Sequence, residues 1–192
     1  MWVEKKALVK VLEPEKDRGT GNLRLELNLW QYLPKVDRVI KIPSSLLLQS
    51  WMGSDFTNDD LVKGSSLVRD YTHAIVEKTS IAGTPTTKII CKPKKDAPVV
   101  WGRVEVWLRA TDAVPLRYDY YSEGGELLKS LAGEKIKNFG DHTIPSILIM
   151  KDMRKNNYST KIEYDPSTVK FDQKIPEDVF TQQHLRKPVT GG

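Results

Sequence analysis

An apolar residue at every second position dominates this chain, and that pattern commits it to β-structure. Across 22–33, Leu23, Leu25, Leu27 and Leu29 share one parity while Arg24, Glu26 and Asn28 take the other. Val104, Val106 and Leu108 alternate likewise with Arg103, Glu105 and Arg109, and Tyr158, Thr160, Ile162 and Tyr164 with Ser159, Lys161 and Glu163. Side chains alternate across a strand, so each run describes an antiparallel strand with one dry and one wet face. The pattern predicts strands near 2–12, 22–33, 35–42, 70–79, 85–92, 101–109, 115–121, 127–139, 143–153, 156–165 and 167–171. Turn residues punctuate them at Gly19-Thr20-Gly21, Gly83-Thr84-Pro85, Glu123-Gly124-Gly125, Asn156-Asn157 and Asp165-Pro166-Ser167. One short helix is expected over 58–67, with Asn58 as its cap, and a turn over 176–180. Many short strands at this spacing describe a barrel or a sandwich. No linker or repeat interrupts the 192 residues, so a single domain over 1–192 is expected.

Composition narrows the function classes. Hydrophobic residues make up 39% and charged residues 29%, the balance of a folded globular chain. The net charge is +5, but Lys and Arg are scattered among 25 acidic residues, so no nucleic-acid partner is expected. The densest basic patch, Lys92-Pro93-Lys94-Lys95 beside Asp96, reads as a solvated turn. Cys91 is alone in Ile89-Ile90-Cys91-Lys92, a strand setting where a thiol is buried and inert. No run approaches the roughly 20 apolar residues of a transmembrane segment, and Met1-Trp2-Val3-Glu4-Lys5-Lys6 leads into no apolar signal region.

No constellation of catalytic groups stands out. His73, His142 and His184 lie far apart without metal-ligand spacing, and Gly19-Thr20-Gly21 lacks the Lys-Ser/Thr of a phosphate loop. An EF-hand starting at Asp55 would need Gly at Asp60 and Glu at Ser66, so calcium is not expected. No metal, no cofactor and no enzymatic activity are expected. Arg69-Asp70, Lys135 with Lys137, and Arg154-Lys155 read as solvated charges. The dry rows carry more. A curled sheet of about eleven strands encloses more volume than its own side chains fill, and volume lined by Leu, Val and Tyr stays dry and accepts apolar chains. Trp30, Tyr32 and Trp107 sit at the wet parity, where either they cover the outer wall or a bulge re-aims them. The connection holding Trp51, Met52 and Phe56 is apolar and long, the profile of a lid, a cavity rim or a purely structural loop.

Across 29–61 the chain reads W-x-Y-L-P, a basic strand, and M-G-S-D-F-T-x-x-D-L. The residues are Trp30, Tyr32, Leu33, Pro34, Met52, Gly53, Ser54, Asp55, Phe56, Thr57, Asp60 and Leu61, and the likeness extends to Phe180-Thr181-Gln182. This run resembles the outer-membrane lipoprotein-sorting family, the LolA-like superfamily. The resemblance implies a mainly β fold: a curved antiparallel sheet forming an incomplete β-barrel with a few short helices. It implies a periplasmic carrier for the acyl chains of a lipoprotein or lipid, working between an inner-membrane transporter and an outer-membrane acceptor. A lipid-responsive periplasmic sensor of the same fold is the alternative. The cavity would be lined by Leu25, Leu27, Leu29, Val104, Val106, Leu108, Leu116 and Tyr118, with Trp51, Met52, Phe56 and Leu61 at its rim or lid. It further implies a signal peptide, a helix and a strand ahead of the segment that begins near Trp2.

Overall fold

The computed structural model describes residues 6–63, 66–155 and 158–189. Among them the strands are β1 (Lys6–Lys10), β2 (Gly21–Leu25), β3 (Asn28–Leu33), β4 (Arg38–Lys41), β5 (Tyr71–Ile81), β6 (Thr84–Pro93), β7 (Arg103–Arg109), β8 (Pro115–Tyr121), β9 (Leu127–Phe139), β10 (His142–Asp152) and β11 (Thr160–Glu163). The α-helices are short: α1 (Asn58–Lys63), α2 (Ser66–Asp70) and α3 (Gln182–Arg186). In place of one continuous sheet there are two, ordered β1-β2-β3-β4 and β11-β10-β9-β8-β7-β6-β5, with every pairing antiparallel. Neither order returns to its first strand, so neither sheet is a closed barrel. The chain divides into two compact units. One comprises Met1–Met52, Phe56–Ser65 and Lys174–Gly192, and the other Gly53–Asp55 and Ser66–Gln173.

In the first unit the leucine row across 22–33 is not one strand. Glu26 and Leu27 form a two-residue turn between β2 and β3, with Glu26 at φ 53. Leu25 pairs with Asn28, Arg24 with Leu29 and Leu23 with Trp30. Paired residues share a face, so the turn inverts the parity. Leu29 joins Arg24, and Trp30 and Tyr32 join the face of Leu23 and Leu25. Leu27 is 56% exposed at the tip, whereas Leu23 and Leu29 are buried on opposite faces. Helix α3 lies on the Leu23 side: a Cβ at Gly21 would come within 2.6 Å of Leu185 Cδ1, which only glycine avoids. On the Leu29 side, Arg24 Nη1 donates to the α1 carbonyl of Leu61 at 3.1 Å.

In the second unit the predicted strands are found almost residue for residue from β5 to β10. The expected strand over 167–171 is absent, replaced by a turn in which the Thr168 N–H donates to the Asp165 carbonyl. The expected strand over 156–165 shrinks to β11, residues 156 and 157 lying outside the described set. The same holds for residues 2–5 of the first predicted strand and residues 64 and 65 of the predicted helix, which is otherwise split into α1 and α2. The core of this unit is Tyr71, Cys91, Val104 and Val106, with Leu67 of α2 packed against it.

Candidate functional site

Cross-strand pairing gathers one apolar face on the seven-stranded sheet. Cys91 pairs with Val104 and Val104 with Tyr120, while Ile89 pairs with Val106 and Val106 with Tyr118. Val104 and Val106 are buried, and around them Ile89, Trp101, Leu108, Tyr118 and Tyr120 keep part of their surface open. Tyr120 packs on Trp101 with ring centroids 5.3 Å apart and on Tyr118 at 6.3 Å. Leu116 is buried beside the bulge where β7 shifts register against β8. Burial raises both the Tyr118 phenol and the Cys91 thiol above their ordinary range, so both stay neutral. Of the residues expected to line a cavity, this sheet therefore holds Val104, Val106, Leu108, Leu116 and Tyr118. Leu25 and Leu29 belong to the other sheet and Leu27 to its β2–β3 turn, which separates them as described.

The same face carries a buried polar clamp that the sequence pattern did not single out. Lys129 pairs with Tyr120 on one side and Asp152 on the other. Lys129 is 2% exposed and its ammonium donates to the Asp55 carbonyl at 2.5 Å. The Asp55 N–H donates to Thr160 Oγ1 at 2.8 Å, and that hydroxyl donates back to Asp55 Oδ2 at 2.9 Å. Lys155 Nζ stands 3.2 Å from Asp55 Oδ1. The aspartate of the M-G-S-D-F motif is thus an anchor. Gly53 supplies left-handed backbone at φ 77 just before it, and Met52 adopts φ 51.

The remaining motif residues are structural in the same sense. The Trp51 N–H donates to the Phe56 carbonyl at 2.7 Å, with Ser50 bridging Thr57. Thr57, and not Asn58, caps α1: the Thr57 N–H donates to Asp60 Oδ2 at 2.7 Å while the Asp60 N–H donates to Thr57 Oγ1 at 3.2 Å. That reciprocal pair is a capping box. The Asn58 amide instead donates to the Leu46 carbonyl at 3.1 Å. Met52 is exposed, whereas Trp51, Phe56 and Leu61 are partly buried. In the first unit, Lys41 Nζ lies 5.7 Å from the Trp30 ring centroid, and Leu33 leads into a 3-10 turn begun by Pro34.

The opposite face of the seven-stranded sheet is not uniformly wet. Glu105 and Asp119 are buried because long side chains lie across them. Lys88 Nζ is 3.0 Å and Arg103 Nε 3.0 Å from Glu105, and Arg117 grips Asp119 through two bonds of 2.8 Å. Trp107 lies between Lys88 at 5.1 Å and Arg117 at 5.2 Å, on the sheet face opposite Val106. The Glu105 contact holds the Lys88 ammonium above its usual range.

Arg154 and Lys155 are likewise paired, not merely solvated. Arg154 makes bonds of 2.9 and 2.7 Å to the Asp152 carboxylate, drawing its pKa from 3.8 down to about 2. A depressed carboxylate stabilises the fold fully above the unfolded value and loses that contribution as pH falls through the folded one. The shift corresponds to about 2 kcal/mol, but Arg154 is 60% exposed, so solvent reduces it to about 1 kcal/mol. Melting temperature should fall between pH 4 and pH 2 by less in Arg154→Ala than in the unmodified protein. Equal falls would remove this pair as their source.

Among the described residues no group of three or more His, Cys, Asp and Glu could hold a metal, and no helix is long and apolar enough to cross a membrane.

Solved structures place this architecture. A domain from Vibrio parahaemolyticus assigned to outer membrane lipoprotein sorting matches with TM-score 0.83 and 24% identity, over 97% of this chain and 81% of that one. A DUF1329 family protein from Desulfovibrio piger matches with TM-score 0.85 and 22% identity, over 94% and 76%. A LolA superfamily protein from Nitrosomonas europaea matches with TM-score 0.73 and 22% identity, over 94% and 78%. The fold is therefore the LolA-like fold of lipoprotein-sorting proteins. The chain itself belongs to the family whose model, described as "-like: Uncharacterized protein", matches residues 3–187. Among curated proteins nothing matches.

Proposed function

We propose that this chain is a non-enzymatic periplasmic carrier that shelters acyl chains of a lipoprotein or lipid, receiving them from an inner-membrane transporter and passing them to an outer-membrane acceptor. The observation that carries this reading is the partly open apolar face of the seven-stranded sheet, where Ile89, Leu108, Tyr118 and Tyr120 surround buried Val104 and Val106. A face serving only as core would bury these side chains fully. Each methylene moved from water onto it contributes roughly 0.8 kcal/mol, so a single acyl chain is held without any polar contact. The LolA-like fold supports the same reading.

The purified protein should bind a fluorescent fatty acid. Leu108→Glu places a charge on the face at a position that is only partly buried. It should weaken the probe by at least tenfold while melting within a few degrees of the unmodified protein. A protein that binds no acyl probe in its unmodified form is not this carrier.

A further inference from the structure

The four-stranded sheet carries a second feature that acyl binding does not use. A cavity of about 290 Å³ opens where Tyr32 and Pro34 of the W-x-Y-L-P run meet Arg18, Arg186 and Lys187. The loop bearing Arg18 is held in place: the Gly19 N–H donates to the Val11 carbonyl at 2.9 Å, and Gly19 takes left-handed backbone at φ 81 beside the Pro34 ring. The chain after α3 is pinned as well. Lys10 donates to the carbonyls of Leu185 and, at 2.9 Å, Lys187, and its ammonium lies 5.5 Å from the Tyr32 ring centroid. Tyr32 and Arg186 both bond Asp37 Oδ1, at 3.2 and 2.9 Å. Among the described residues Arg18 makes a loose contact of 3.9 Å with Glu15, itself almost fully exposed. Cations thus outnumber carboxylates around the opening.

We propose that this cavity binds a phosphate-bearing group. Two guanidinium forks and an ammonium offer more donors than a carboxylate can accept, whereas a phosphate presents three or more oxygens to them. The volume separates the candidates further. It lies at the low end of small-molecule sites, which begin at about 300 Å³. That is too small for an acyl chain and roomier than a bare phosphate requires. The Tyr32 ring and Pro34 supply an apolar wall for a few carbons, so a phosphoglycerol-type group fits best. Its source is either a lipid headgroup or a free phosphate compound.

Titration calorimetry at low salt, with glycerol phosphate, inorganic phosphate and glycerol as probes, tests the site. Glycerol phosphate should bind and glycerol should not. Binding should weaken as salt is added. The double variant Arg18→Gln with Lys187→Gln should weaken it at least tenfold, with melting temperature and fatty-acid binding unchanged. A fourth probe, glycerophosphoglycerol, is a diester like a lipid headgroup. Its binding as tightly as glycerol phosphate assigns the site to a headgroup, and loss of binding by the diester assigns it to a free phosphate compound. Should the double variant melt early, Arg18→Gln alone carries the same comparison. Absence of binding by every anion, or undiminished binding by the variants, overturns the proposal. None of these probes has an acyl chain, so that failure would leave the carrier reading standing.

Discussion

Asp55→Ala should destabilise the protein by roughly 3–5 kcal/mol, the range for removing one partner from a buried ionic cluster. The Asp55 carboxylate is fully buried, with Thr160 and Lys155 bonded to it and buried Lys129 bonded to its backbone carbonyl. Without it, the hydroxyl of Thr160 loses its acceptor and the Lys155 ammonium loses its carboxylate partner. Asp55→Asn keeps the shape and the Thr160 bond, so it should cost less, roughly 1–3 kcal/mol. Thr160→Ala removes the two bonds this hydroxyl makes with Asp55 and should cost about 1–2 kcal/mol. Because the two residues form one unit, the double variant should fall short of the sum by at least 0.5 kcal/mol. Urea unfolding of the set measures all of these. A free-moving lid predicts the contrary: Asp55→Ala within about 0.5 kcal/mol of the unmodified protein, like an ordinary surface change. That outcome would remove the anchor.

The second sheet was legible from alternation because its strands are long and mostly paired on both sides. In β7 the row Val104, Val106 kept its face, and the only break falls at the bulge between Trp107 and Leu108. Across 22–33 the same rule misled for a geometric reason. In a two-residue hairpin the paired residues have opposite parity in sequence, so a row of odd-numbered leucines continues in space on the even-numbered residues. The turn lacks the usual Asn-Gly or Asp-Gly signal; Glu26 takes the left-handed conformation without it. The same inversion explains Trp30 and Tyr32, which stand at the wet parity in sequence yet lie on the Leu23 face. The Asp55 clamp was hidden differently. Its partners lie 74 to 105 positions away, a distance over which periodicity carries no information. One local clue existed: Lys129 interrupts the apolar row of Leu127 and Leu131. A lysine at a dry position needs a partner, and that need is what Asp55 and Asp152 meet. Helix α3 had a clue too, in Thr181, whose hydroxyl accepts from the His184 N–H at 3.1 Å.

The hairpin register makes the last prediction sharp, because two leucines of identical parity should respond in opposite ways. Leu27→Arg places a charge at a turn position already 56% exposed, and its effect should stay within about 0.5 kcal/mol. Leu29 is 1% exposed and lies opposite Arg24, which is itself buried. Leu29→Arg would therefore set a second buried cation against the first, with no acceptor provided for it. Burying an unpaired charge costs several kcal/mol, and like charges directly opposite on a sheet add to that cost. At 2–4 °C of melting temperature per kcal/mol for a chain of this size, Leu29→Arg should melt more than 10 °C early or not fold at all. Leu29→Met separates the charge from simple loss of packing: a volume-conserving apolar swap should cost less than about 1.5 kcal/mol. A continuous strand across 22–33 would put Leu27 and Leu29 on one dry face, and both arginine variants would then collapse alike. Thermal melts of the three variants decide between these geometries, since only the hairpin leaves Leu27→Arg folded while Leu29→Arg fails.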